Sequence, residues 1–171
     1  LELLLMYNGQ HPRGDESWLP NNVSVKHIQW SYENYSNKLT FSDIGIVPNG
    51  ILTKYSRDKI LKQKNSLLNL SKDDYVLRFK MPSGPGRIIV FGLLGIPVIS
   101  DFFPSGIRHL QDGRGLIAHS TSGWEHSFKK LIVSSNLRKS MGQKLQNYVI
   151  EKYNFSTQNK KFINFLQNKI I

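Results

Sequence analysis

The 171-residue chain has no cysteine, 23 Lys and Arg against 12 Asp and Glu, and 11% aromatic residues. That length supports one domain with its own core. The composition excludes collagen-like, low-complexity and disordered classes, and zero Cys excludes disulfide scaffolds, thiolate zinc sites and thiol nucleophiles, fitting a reducing, cytoplasmic compartment.

The net charge of +11 is unevenly spread: residues 1–53 carry −2, 54–80 carry +5, 81–128 balance, and 129–171 carry +8. Such a field attracts phosphates, nucleic acid or an acidic leaflet. It equally fits a solvated Lys/Asn-rich surface, because no cluster interleaves Arg with aromatics as single-strand binders do. The longest apolar stretch, 87–99, is too short for a bilayer and is broken by Gly and Pro. The opening Leu-Glu-Leu-Leu-Leu-Met-Tyr lacks a basic flank and does not read as a signal peptide; it reads as the interior of a longer protein.

In chain order, Leu1 to Tyr7 is a continuous apolar run closed by Asn8-Gly9, the pattern of a buried parallel strand. Val23 to Ile28 alternates and predicts a second strand. Tyr35, Leu39 and Thr40 fall at helical spacing within 33–42, and Asp43 to Pro48 predicts a short buried strand stopped by Pro48-Asn49-Gly50. Residues 51–80 are polar and basic and read as an insertion, with weak helical signal over 59–70 and a strand over 75–79.

Pro82-Ser-Gly-Pro-Gly86 breaks regular structure. Arg87 to Leu94 then predicts a helix closed by Gly95 in the left-handed conformation, and Ile96 to Ser100 a buried strand. Gly115 to Ala118 is a last strand after the Asp112-Gly113 turn. Helices follow over 124–133 and 136–153, the second with Leu137, Met141, Leu145 and Val149 on one stripe. A final helix after Ser156 groups Phe162, Phe165, Leu166 and Ile170. Apolar strands alternating with helices imply an α/β fold: a Rossmann-like, three-layer α/β/α arrangement with a mostly parallel sheet and ligand loops at the carboxyl ends of its strands.

Ser83-Gly84-Pro85-Gly86 leads into a helix, so backbone N–H groups at a positive dipole end suit a diphosphate, with Lys80 and Arg87 flanking them. The same residues serve equally as a turn chosen for geometry. Pro48-Asn49 reads first as a plain turn. Asp101 orients a sugar hydroxyl or caps the next turn, and Phe102-Phe103-Pro104 lines a ligand pocket or, as the first reading, packs beneath the loop. The five histidines (His11, His27, His109, His119, His126) show no ligand spacing, so no metal is expected. Nucleophile-elbow, Walker and dinucleotide glycine motifs do not occur, nor is there a close carboxylate pair for glycoside hydrolysis.

The ordered segments Asp43-Ile-Gly-Ile-Val-Pro48, Gly86-Arg-Ile-Ile-Val-Phe-Gly-Leu-Leu-Gly-Ile-Pro-Val-Ile-Ser100-Asp101, Ile107 through Asp112-Gly-Arg-Gly-Leu-Ile-Ala118, Trp124 and Leu137-Arg-Lys-Ser-Met-Gly142 resemble the C-terminal, donor-binding domain of group 1 glycosyltransferases. Leu1 to Gly9 and Trp18 to Val23 extend the resemblance over nearly all of the chain except 51–80. It implies half of a GT-B fold, transferring a sugar from a nucleoside-diphosphate sugar to a glycan or lipid acceptor, without cofactor or metal. Donor contacts are implied at Lys80, Ser83, Gly84, Gly86, Arg87, Pro48 and Asn49, and its place at a strand end adds Asp101 to them. The two Glu that many members carry fall on Pro82 and Val90, so those contacts do not transfer. The N-terminal acceptor domain is implied as a partner outside this chain, which alone is expected to be inactive. Peripheral membrane contact through the basic C-terminal helices would hold it near such an acceptor. The alternative, from another class, is a non-catalytic module that uses those helices to bind nucleic acid or an anionic membrane.

Overall fold

A computed structural model describes residues 1–7, 22–48 and 84–170. The expected insertion at 51–80, with its helix and strand, lies outside the described residues. Those residues form two compact units, 1–41 and 42–171.

In the first unit, β1 (Glu2–Tyr7) and β2 (Ser24–Gln29) pair in parallel, from Glu2 beside Ser24 to Tyr7 beside Gln29. The Ser24 N–H extends the ladder by donating to the Leu1 carbonyl at 3.0 Å. The helix expected over 33–42 is confined to α1 (Tyr35–Leu39), because only Leu39 finds a buried position. Thr40 then turns its hydroxyl back onto the Ser36 carbonyl at 2.5 Å, a bond that competes with helix continuation.

The second unit begins with β3 (Gly45–Val47) and continues through α2 (Gly86–Leu93), β4 (Val98–Ser100), α3 (Pro104–Leu110) and β5 (Gly115–Ile117). Three further helices follow: α4 (Thr121–Val133), α5 (Ser135–Tyr153) and α6 (Phe155–Ile170). The strands lie in the order β3-β4-β5 and all run parallel. The fold class is therefore α/β with parallel strands.

Alternation along β4 divides the core, since consecutive strand residues face opposite ways. Val98 packs with Val47, Ile88, Phe103, Leu110, Leu145 and Val149. Its neighbour Ile99 packs with Ala118, Leu131 and Met141. The expected stripe on α5 serves both clusters: Leu145 and Val149 enter the first, Met141 and Leu137 the second.

The turn from α2 into β4 follows from Gly95, whose φ of +70° is open to glycine at little cost. Gly95 N–H donates to the Gly92 carbonyl at 3.0 Å and Ile96 N–H to the Phe91 carbonyl at 2.9 Å, closing the helix as its sequence predicts. Helix α3 was not foreseen. Pro104 starts it at a position where a missing N–H costs nothing. Phe103, 1% exposed, folds beneath it, whereas Phe102, at 39%, and Pro104 are exposed, so of the three residues expected to pack under the loop only the middle one does.

At the other end of the core, Ser134 caps α5 by accepting the Leu137 N–H at 3.2 Å. The Arg138 guanidinium donates to the last carbonyls of α4, Leu131 at 2.7 Å and Ile132 at 3.1 Å, and pairs with Asp43 at 3.3 Å. A cation at a helix C-terminus meets the negative end of its dipole.

Candidate functional site

The three parallel strands of the second unit end together. Asp101 N–H donates to the Val47 carbonyl at 3.2 Å and Ala118 N–H to the Ser100 carbonyl at 2.9 Å. The buried Ser100 hydroxyl stands 3.1 Å from the Val47 carbonyl oxygen and 3.0 Å from that of Asp101. In parallel α/β sheets this carboxyl edge is where ligands bind, because the crossovers leave their loops there.

Helix α2 brings its first turn to the same edge. Its last turn passes through Gly95 to Pro97, whose carbonyl accepts the Gly45 N–H at 2.8 Å, beside the start of β3. An eight-residue helix spans about 12 Å and a three-residue strand about 10 Å. A helix returning to the amino ends of the strands therefore begins near their carboxyl ends.

Pro85 occupies the N-cap and offers no side-chain acceptor to the first-turn N–H groups. Gly84 and Gly86 are exposed, and a Cβ at either would meet no atom within 4 Å. Arg87 lies exposed on the first turn, with enough protein about its guanidinium that desolvation lowers its pKa. It remains a cation at neutral pH. An opening of N–H groups, no bulk and one fixed positive charge is a chemical match for an anion.

Pro48 is exposed immediately after β3. Asp101, 7% exposed, follows β4, and one carboxylate oxygen accepts the Trp124 indole N–H at 3.1 Å. That bond ties the β4 loop to the first turns of α4, where Trp124 packs against Phe128 at 5.9 Å between ring centroids. Thus Pro48, Gly84, Gly86, Arg87 and Asp101 belong to one edge of one sheet. Lys80, Ser83 and Asn49 lie outside the described residues.

Sequence reasoning missed a further group there. Ser120, after β5, caps α4 by accepting the Gly123 N–H at 3.1 Å, and its hydroxyl lies 3.1 Å from that of Ser122. His119, Ser120 and Ser122 are all exposed. The signal was available: a serine ahead of a helix is the usual N-cap. Among the described residues, no three His, Asp or Glu side chains gather as metal ligands would.

At the C-terminal end of α3 sits a second polar constellation, centred on buried His109. Its Nδ1 donates to the Ser105 carbonyl at 2.9 Å, which leaves Nε2 to accept the Tyr153 hydroxyl at 2.6 Å. The ring stacks on Tyr153 and meets Tyr148 edge-on. Arg114 lies 4.1 Å over the Tyr148 ring and donates to the carbonyls of His109 and Arg108. Burial lowers the His109 pKa; the Ser105 bond opposes this, and the charges of Lys152, Arg114 and Arg108 add to it. Arg114 hydrogen-bonds the His109 and Arg108 carbonyls and the Asp112 carboxylate, so the group reads as a tie between α3, the start of β5 and α5.

Comparison with protein-family models, with curated proteins and with solved structures finds no match to this chain.

Proposed function

We propose that the chain is the donor-binding domain of a glycosyltransferase: a Rossmann-like, three-layer half of a GT-B fold that receives a nucleoside-diphosphate sugar at the carboxyl edge of its parallel strands. The observation that carries this reading is the open first turn of α2, with Arg87 beside it, brought to that edge. The two core clusters on opposite sides of β4 support the layered arrangement.

The chemistry is leaving-group stabilisation. As the sugar departs, negative charge grows on the diphosphate, and preorganised donors aimed at that charge lower the barrier. Arg87 and the N–H groups at Gly86 and beyond supply them, with Lys80 and Ser83 in the same role. Pro48 and Asn49 border the nucleoside, and Asp101, held by Trp124, is placed for a sugar hydroxyl. In this reading the transfer uses neither metal nor organic cofactor, and the acceptor and any general base come from a separate N-terminal domain. The chain alone then binds donor without turning it over.

The test is a thermal-shift and titration series of the full chain against UDP, GDP, ADP, CMP and their sugars, since a ligand that binds only the folded state raises its stability. One nucleotide class should bind. Arg87→Ala should weaken it by about 1.5–3 kcal/mol, or roughly 10–150-fold, as expected for a lost hydrogen bond to a charged phosphate. Absence of binding across the series, or an Arg87→Ala affinity equal to that of the parent, overturns the reading. The excess of nine cations over one acid in 129–171 favours a second reading, a nucleic-acid-binding module, which salt-sensitive binding to duplex or single strand without any nucleotide-sugar response would establish.

A further inference from the structure

Helix α6 leaves an apolar face uncovered. Phe162, Ile163, Phe165 and Leu166 are 61%, 51%, 57% and 36% exposed, and Phe155 at its start is 79% exposed. At 100° per residue these five fall within an arc of about 160°. Gln158, Asn159 and Lys169 also fall within it, Lys160 and Lys161 lie off it on opposite sides, and Ser156, Thr157, Asn164, Gln167 and Asn168 fill the rest of the surface. The helix has three lysines and not one Asp or Glu. Among the described residues no helix is long and apolar enough to cross a membrane.

We infer that α6 is a docking surface for an anionic lipid bilayer, lying in the plane of the headgroups with its phenylalanines in the acyl boundary. Charge selects this occupant. An aromatic and aliphatic face flanked by Lys160 and Lys161, with Lys169 on it in the last turn, matches a layer that is apolar below and phosphate-rich above, and lysine stems can reach from one to the other. A second copy of α6 laid face to face would bring six lysines together with no carboxylate between them, which opposes self-association. The preceding helix adds to the field, with Arg138, Lys139, Lys144 and Lys152 against Glu151. At about 24 Å the helix is long enough to anchor along the interface. This inference stands apart from the donor site, and the two are read by separate assays.

The experiment is co-sedimentation of the full chain with vesicles of phosphatidylcholine alone and of phosphatidylcholine mixed with phosphatidylglycerol. Binding is expected to the mixed vesicles and not to phosphatidylcholine alone. Phe162→Ser with Phe165→Ser should weaken it by about ten-fold or more. Lys160→Gln and Lys161→Gln should each weaken it by about five-fold at low salt and far less at high salt. These side chains are exposed, so circular dichroism of the variants should match the parent. Asn159→Leu, which replaces a polar residue inside the apolar arc, should tighten binding by about ten-fold, a gain that unfolding does not mimic. Indifference of the chain to phosphatidylglycerol, unchanged binding in the double Phe variant, or a stable dimer that the same double variant dissociates would each overturn the inference.

Discussion

Replacing Gly142 by Ala sets two known effects against each other. On helical propensity alone the change should stabilise α5 by about 0.8–1.0 kcal/mol. The tertiary contact says otherwise. A Cβ at 142 would stand 1.9 Å from the Gly95 carbonyl oxygen and 2.9 Å from its carbon, where ordinary contact begins at 3.4 Å. The obstacle is backbone, and Gly95 is pinned by its left-handed φ and by the two hydrogen bonds that close α2. It is therefore α5 that must retreat, by roughly 1.5 Å if it alone moves, a distance at which a contact potential is largely lost. That retreat draws Leu145 and Val149 from the cluster they share with Ile88 and Val98. Overpacking of this kind costs about 1–3 kcal/mol and sometimes more, and here it falls on a contact that cannot yield. Net destabilisation of about 2 kcal/mol is expected, lowering Tm by roughly 4–8 °C for a domain of this size. Urea and thermal unfolding measure it, with Gln143→Ala, at an exposed neighbour on the same helix, expected to stay within about 0.5 kcal/mol of the parent. A Gly142→Ala protein as stable as the parent, or more so, would show that α5 does not press on Gly95 and that propensity governs the position.

Trp124→Phe removes the indole donor from the buried Asp101 carboxylate and should cost about 1.5–3 kcal/mol by urea denaturation. Adding Asp101→Asn should recover part of this, because the undersupported charge is gone. Arg138→Ala should destabilise by about 1–2 kcal/mol through the two α4 carbonyls it serves. Asp43→Ala should cost less than about 0.5 kcal/mol, since that carboxylate's side chain is 76% exposed; equal losses would show that the ion pair, not the cap, matters. His109 has its pKa lowered in the fold, so the neutral ring is the native form. Its contribution is fully present above the ordinary histidine range near 6.5 and is lost as pH falls through and below it. Unfolding series over pH 5–8 should show this decline, and His109→Gln should flatten it.

Much of the second unit was legible because its signals are local. The apolar runs at 43–48, 96–100 and 115–118 became β3, β4 and β5; Gly95 became a left-handed close; and Met141, Leu145 and Val149 became the buried stripe of α5. Helix α3 escaped because its periodic apolar residues are only Ile107 and Leu110. Its stability comes from packing Phe103 and Leu110 into a cluster assembled by α2, β3, β4 and α5. The site divides in the same way. Gly84, Gly86, Arg87 and Asp101 could be placed at element ends from the chain alone. The bond of Trp124 to Asp101 spans 23 residues and depends on where β4 and β5 end side by side, and that of Tyr153 to His109 spans 44. No periodicity encodes such pairs.

Charge supplies the remaining step, because its two reservoirs act over different ranges. Residues 81–128, which build most of the strand edge, are electrically balanced, while 54–80 hold +5 and 129–171 hold +8. In the proposed reading, neutralising a diphosphate at the edge falls to short-range donors, Arg87 and the first N–H groups of α2, together with Lys80. The C-terminal helices act through a diffuse field that is screened over about 8 Å at physiological ionic strength. Raising salt should accordingly strip the chain from anionic vesicles while nucleotide affinity changes far less. If nucleotide and vesicle binding instead fell together along one salt curve, the edge would not be a site of its own, and the nucleotide would be a counter-ion of the basic helices.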